Sequence, residues 1–151
     1  MDGVKVRGMF RVQIDENGEI KGDSGWHENQ VVNLGFNQYL VMSLGSIAGS
    51  KYITHAALGT GGAPIAADTS LAGEVVVRAA ITAATSSSSK TLRLTATFAS
   101  SNSFVTDTRN ISNVGLFNTS SGGTLFAGNT YASSSCATNQ NVNATYDLVF
   151  S

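Results

Sequence analysis

Residues 91–98 read TLRLTATF. Leu92, Leu94, Ala96 and Phe98 take every second position, with Arg93, Thr95 and Thr97 between them. Side chains of an extended chain point alternately to its two faces, so this stretch is a strand with one apolar and one polar face. The apolar face demands a second layer to cover it. The same period appears on both sides of this strand. Val142, Ala144, Tyr146, Leu148 and Phe150 alternate with Asn143, Thr145, Asp147 and Val149, a strand regular enough to be expected inside the sheet. Val4, Val6, Phe10, Val12 and Ile14 also keep alternate positions, with Gly8 interrupting the face. Asn17-Gly18 comes next, a pair suited to the positive φ angles of a tight turn, so residues 4–14 and about 19–28 are predicted to form a hairpin.

Further strands are predicted over Glu74–Ala84, on the spacing of Val75, Val77, Ala79 and Ile81, and over Ile111–Phe117 and Thr124–Ala132. The last two flank Asn118-Thr119-Ser120-Ser121-Gly122-Gly123, which reads as their hairpin turn, and Ser86–Ser89 with Lys90 reads as another polar turn. One segment has a different period. Phe36, Leu40, Leu44 and Ile47 are spaced four, four and three apart and Tyr39 widens the stripe, which predicts one amphipathic helix with Asn33 as its cap and Gly49 as its stop. Gly35 and Gly45 each cost such a helix up to about 1 kcal/mol, so packing must hold it. The expected fold is mainly β: a single antiparallel β-sandwich domain over residues 1–151, jelly-roll or Greek-key in kind, with one amphipathic helix near residues 33–48. Residues 1–30 form an N-terminal hairpin or arm available for assembly. The rival architecture is an open sheet packed on the helix.

The 151 residues suit one domain, able to bury roughly 70% of its unfolded surface without disulfides. Nine basic and ten acidic residues give a net charge of -1, which offers no excess positive charge to a phosphate backbone or an anionic membrane. Nucleic acid and membrane are therefore not expected as partners. Only 13% of residues are charged, so Ser, Thr, Asn and Gly must make much of the surface polar, a surface suited to contact with other proteins. A single cysteine, Cys136, excludes an intrachain disulfide, and as a nucleophile it would need His27 or His55, both distant in sequence. The first residues lack a secretory pattern and no apolar run approaches the ~20 residues that span a bilayer, so synthesis in a cytosol is expected.

The stretch that most resembles a site is ALGTGGAPIAADTSL, residues 57–71. A phosphate-binding loop needs a lysine after its last glycine, which Gly59-Thr60-Gly61-Gly62 lacks, and Pro64 followed by strand patterns does not supply the helix of a dinucleotide site. Asp68, Glu74 and His55 match no calcium or zinc spacing. Neither the carboxylates Asp15, Glu16, Asp68 and Glu74 nor the two histidines form a recognisable hydrolytic set. The structural reading is a turn between strands built on Gly59, Gly61 and Pro64, with Asp68 capping Thr69-Ser70-Leu71 and Glu74 or Asp68 pairing with Arg78. Gly122 and Gly123 serve the second turn. No catalytic residue, cofactor site or metal site is expected.

Taken in order, Val32-Asn33, Gly35, Tyr39, Ala57-Leu58-Gly59-Thr60-Gly61, Ala63-Pro64, Asp68-Thr69, Leu71, Glu74 and Arg78, then Val114-Gly115-Leu116-Phe117-Asn118 and Gly122-Gly123-Thr124-Leu125-Phe126-Ala127, resemble a group of small structural proteins of tailed-phage virions. The resemblance covers about residues 31–150, and the GLFN and GGTLFA segments are its most specific part. This chain departs from the pattern at Gly128, where an arginine is expected after LFA, and at Asn113, where an acidic residue often precedes GLF. The resemblance implies a non-enzymatic virion component located on the capsid surface or tail and synthesised in the host cytoplasm. A capsid decoration or cement protein comes first, a homotrimer bound to the major capsid protein or other virion proteins. A tail, baseplate or fibre component comes second, with Trp26, Tyr39, Tyr52 and Tyr131 available to stack on sugars. A small hydrolase dependent on Asp68 or Glu74 comes last. Val4, Val6, Phe10 and Trp26 are the candidate assembly contacts, because an added strand can pair with a neighbour's sheet edge.

Overall fold

The chain folds as one curled, antiparallel β-sheet. The structure, a computed structural model, describes residues 3–75, 77–86 and 90–151. Ten strands are present among them: β1 (Val6–Glu16), β2 (Glu19–Asp23), β3 (His27–Glu28), β4 (Gln30–Val31), β5 (His55–Gly59), β6 (Ala79–Ser86), β7 (Thr91–Phe98), β8 (Arg109–Phe117), β9 (Leu125–Cys136) and β10 (Asn141–Phe150). They run in the order β2-β1-β10-β7-β6-β5-β8-β9-β4, with β3 paired to β1. Within this order β8-β5-β6-β7 has the Greek-key arrangement, the fourth strand returning beside the first.

The sheet bends at β6, which pairs with β5 through Ala79 and Ala80 and with β7 from Ile81 to Ser86. A strand that changes partners part-way turns the corner between two layers. The expected pair of sheets is thus one hydrogen-bonded sheet folded over, and residues 27–31 tie its far side: His27 and Glu28 pair with β1, Gln30 and Val31 with β9. The two halves meet face to face. The Phe10 ring of β1 lies 6.0 Å from Tyr131 of β9, and a small cavity is lined by Phe10, Leu94 and Tyr146 from one half and by Ala56, Val114 and Leu116 from the other.

The alternating strands behave as their pattern requires. In β7, Leu94, Ala96 and Phe98 are buried while Arg93, Thr95 and Thr97 are exposed, and β10 buries Val142, Ala144, Tyr146 and Leu148 in the same way. Asn17 and Gly18 take φ angles of 52° and 85° and close the β1–β2 hairpin. The N-terminal segment is not a detachable arm, since β1 pairs with β10 over ten residues and inserts Phe10, Val12 and Ile14 into the core. Phe10, 1% exposed and packed on Tyr131, is a core residue and not an assembly contact. Val4 and Trp26 remain at the surface, and Val6 is half-buried.

The hairpin is pinned by charge. The Arg11 guanidinium holds Asp23 on β2 through Nε at 2.9 Å and through Nη2, and Gln13 and the Gly25 amide donate to the same carboxylate. These donors, Arg11 first, hold the Asp23 carboxyl well below its ordinary value. A carboxylate with a lowered folded pKa contributes stability above its unfolded value near 4 and loses it as pH falls toward the folded value. The chain is therefore expected to lose thermal stability below about pH 4, and Asp23→Asn to flatten that acid limb in melting curves recorded from about pH 2 to 7.

Two predicted elements come out differently, and a third lies largely outside the described residues. The helix ends earlier than residue 48: from helical Asn33 and Leu34 a π-helical stretch, Gly35–Val41, leads into one α-helical turn, Met42–Leu44. Asn33 makes no side-chain cap, its backbone amide donating instead to Ala66 O at 2.8 Å. The helix stops before Gly49, where Ser46 adopts a φ of 50° and the Ile47 and Ser46 amides reach back to the Met42 and Ser43 carbonyls at 3.0 and 3.1 Å. That bonding pattern is a Schellman motif. Glu74 forms only an isolated bridge to Gly59, and continuous strand begins at Ala79. The predicted turn at Ser86–Ser89 falls largely at residues 87–89, outside the described residues.

Candidate functional site

The motif residues gather around β5, the strand hidden in the Gly-rich stretch. His55–Gly59 lies between β6 and β8, and Ala56, Ala57 and Leu58 are buried, so ALG belongs to the centre of the sheet and the loop begins only at Thr60. The chain then doubles back beside the end of β5. Thr60 and Gly61 donate to the Gly73 and Ala72 carbonyls at 3.1 and 3.2 Å, and the Val75 amide donates to Leu58 O at 2.8 Å. Gly59 and Gly61 permit this approach, since a Cβ on Gly59 would lie 2.8 Å from the Ala72 carbonyl and one on Gly61 2.5 Å from the Ala72 Cβ. Pro64 is buried, and the Leu125 amide donates to Thr69 O at 3.1 Å, fastening the loop to β9.

Asp68 does not cap the residues after it. Its carboxylate accepts from the Ile65 amide, three residues earlier, at 2.9 Å, and the Asp68 amide returns a bond to Ile65 O at 3.0 Å. The partner of Arg78 is Glu74, held by two nearly parallel bonds of 3.0 and 2.8 Å. The Arg78 guanidinium also donates to the Thr119 and Gly122 carbonyls at 2.9 and 2.8 Å and lies 3.6 Å from the centre of the Phe117 ring. Its side chain is 5% exposed. One cation thus locks the loop after β5 to the β8–β9 turn, where Gly122 and Gly123 have φ angles of 61° and 72°. The two motif segments that lie far apart in sequence form one structural unit.

Asn113 and Gly128, the two departures from the expected motif, both fit this packing. Asn113 is fully buried and its amide nitrogen donates to the Gly62 and Ala72 carbonyls at 3.1 and 2.9 Å, a task for which a carboxylate has no proton. A Cβ on Gly128 would sit 2.5 Å from the Val114 carbonyl and 3.2 Å from Pro64 Cγ, so an arginine does not fit there.

The other candidates for chemistry are engaged separately. Asp15 accepts from Asn141 and Asn143, bonds that together with the Gly18 amide lower its pKa, while Glu16 accepts from Asn139. His27 Nε2 meets Ser24 O at 2.7 Å and His55 Nδ1 meets Thr54 Oγ1 at 2.9 Å. Cys136 is completely buried and desolvation pushes its thiol pKa up, which favours the protonated form. Tyr39 and Tyr131 are buried with phenol pKa values raised by desolvation, whereas Trp26 and Tyr52 are exposed. Among the described residues no group of three or more His, Cys, Asp or Glu is placed to share a metal ion.

A separate concavity lies elsewhere. An apolar groove of about 580 Å³ runs between the helical residues Phe36, Leu40 and Leu44 and the strand residues Val6, Leu148 and Phe150. The helix is amphipathic as its sequence requires, yet it presents much of its apolar stripe to this groove rather than to the core. Tyr39 and Gly35 face inward: the Tyr39 ring meets Phe126 edge-on at 5.1 Å, its hydroxyl donates to Thr124 O, and Gly35 lies against the Phe126 carbonyl, where a side chain has no room. Phe36, Leu44 and Ile47 stay exposed. No known protein family, curated protein or solved structure matches the chain. Sequence periodicity identifies the helical stripe, but no residue-level signal places the groove, because its other wall comes from strand ends distant in sequence.

Proposed function

We propose that this chain is a structural protein of a tailed-phage particle, most directly a capsid decoration protein that binds the outer shell lattice as a homo-oligomer and stabilises the head. The observation that carries this reading is the joint engagement of the motif residues. Glu74, Arg78, Phe117 and the turn glycines, the residues on which the resemblance to phage virion proteins rests, hold two loops rigid rather than converging on a substrate cavity. A rigid β domain with a weakly charged surface suits repeated contacts with a lattice. Binding only the assembled shell would stabilise it by mass action, about 2.7 kcal/mol per site at a hundredfold excess over Kd. A trimer over a local three-fold axis is the expected form, with the major capsid protein as partner.

A tail, baseplate or fibre component is the second reading, favoured by the exposure of Tyr52 and of Trp26, whose ring also carries the Arg93 guanidinium 5.7 Å from its centre, as surfaces to meet a sugar or a neighbouring virion protein. Immunogold labelling of purified particles separates the two. Even labelling over the head faces is expected, and label confined to the tail or a single vertex favours the second.

A further inference from the structure

We infer that the apolar groove is the self-association surface of this chain, and that it receives the exposed helical rim, Val41 and Leu44, of a second copy. Groove and rim lie on the same face. Leu44 is 90% and Val41 58% exposed, and both stand on the wall of the concavity whose floor is built from Val6, Leu148 and Phe150. Apolar side chains projecting into water beside an apolar hollow let the rim of one copy enter the hollow of another, a pairing that closes either reciprocally as a dimer or head-to-tail around a three-fold axis as a trimer.

Size supports a protein occupant. Of the lining, Val4, Phe36, Val41, Leu44 and Tyr52 together leave on the order of 600 Å² in water, most of the ~800 Å² that each partner buries in a standard interface. A monomer carrying such a patch would be prone to nonspecific association. Charge points to a copy of the same chain. Lys51 is the one charged residue among the described residues lining the groove, so the face carries little charge to select an oppositely charged partner and little to repel its own copy. The terminal strands close the floor, Lys5 and Ser151 exchanging backbone bonds of 2.7 and 3.0 Å, so the surface is a fixed part of the sheet.

The inference deepens the assembly reading and rests on it, but its test needs no particle. Sedimentation equilibrium of the purified full chain is expected to show a dimer or trimer at micromolar concentration. Leu44→Asp is expected to raise the dissociation constant about 30-fold or more without changing the melting temperature of the monomer, because a side chain this exposed contributes little to the fold. Tyr52→Glu, 69% exposed on the same groove, should act alike, while Arg109→Ala, exposed and away from the groove lining, should leave association unchanged. A wild-type chain that stays monomeric at about 100-fold higher concentration overturns the inference, as does an oligomer indifferent to both groove variants. Even head labelling by a chain that proves monomeric would remove this surface and leave the decoration reading standing.

Discussion

Phe126→Ala is expected to destabilise the chain by about 3–5 kcal/mol, the cost of emptying a fully buried aromatic site. Phe126 is 0% exposed, packs edge-on against Tyr39 and presents its carbonyl to Gly35 and to the Val32 amide at 3.1 Å. It is the point at which the helical segment rests on β9. At roughly 2–4 °C per kcal/mol for a domain of this size, the melting temperature falls by about 6–20 °C. A second readout separates this site from the rest of the core. Phe98→Ala, a similar loss beneath β7, should cost a comparable amount yet leave self-association intact, whereas Phe126→Ala should weaken both because it also lines the groove. Thermal melts and sedimentation of the two variants check this, and equal effects on association would place the groove outside the interface.

Arg78→Ala is the second large effect, about 3 kcal/mol or a fall of roughly 6–12 °C. The variant leaves Glu74 without its cation, the Thr119 and Gly122 carbonyls without their donor and the Phe117 ring without its cover. The lower end of the range for breaking a buried pair applies because Glu74 is 24% exposed and water relieves part of the loss. Lysine at this position should recover only a fraction, since a point charge cannot make two parallel bonds and reach two carbonyls at once. The exposed Arg109–Asp107 pair provides the contrast: Arg109→Ala should shift stability by no more than about 0.5 kcal/mol. Similar melting temperatures for Arg78→Ala and Arg109→Ala would mean that the motif residues do not hold the loops.

How legible each element is in the sequence depends on how it is buried. Strands covered on one face, β7 and β10 above all, announce themselves by alternation, and Asn17-Gly18 announces its turn by its backbone requirement. Strand β5 escapes because Ala56, Ala57 and Leu58 are buried on both faces, leaving no period, and Gly59 and Gly61 beside them look like loop. The helical stripe is legible, but periodicity does not say which side meets the core; Gly35 and Tyr39 do, because only glycine allows the helix to rest on the Phe126 carbonyl. Phe10 has the composition of a contact residue and the position of a core residue, a distinction fixed by the pairing of β1 with β10. Asp68 illustrates a local ambiguity, since a short carboxylate can accept from amides before or after it and here the Ile65 amide is the one in reach. The sequence offers Glu74 and Asp68 alike as partners of Arg78; the fold selects Glu74 and adds the Thr119 and Gly122 carbonyls.

The role proposed for this chain is to coat a phage shell. Its most direct test is the copy number per purified particle, measured by quantitative mass spectrometry against the major capsid protein. The expected result is a lattice-wide ratio, between one copy per shell subunit and one per few subunits. A handful of copies per particle would contradict the decoration reading and place the chain in the tail or at a single vertex.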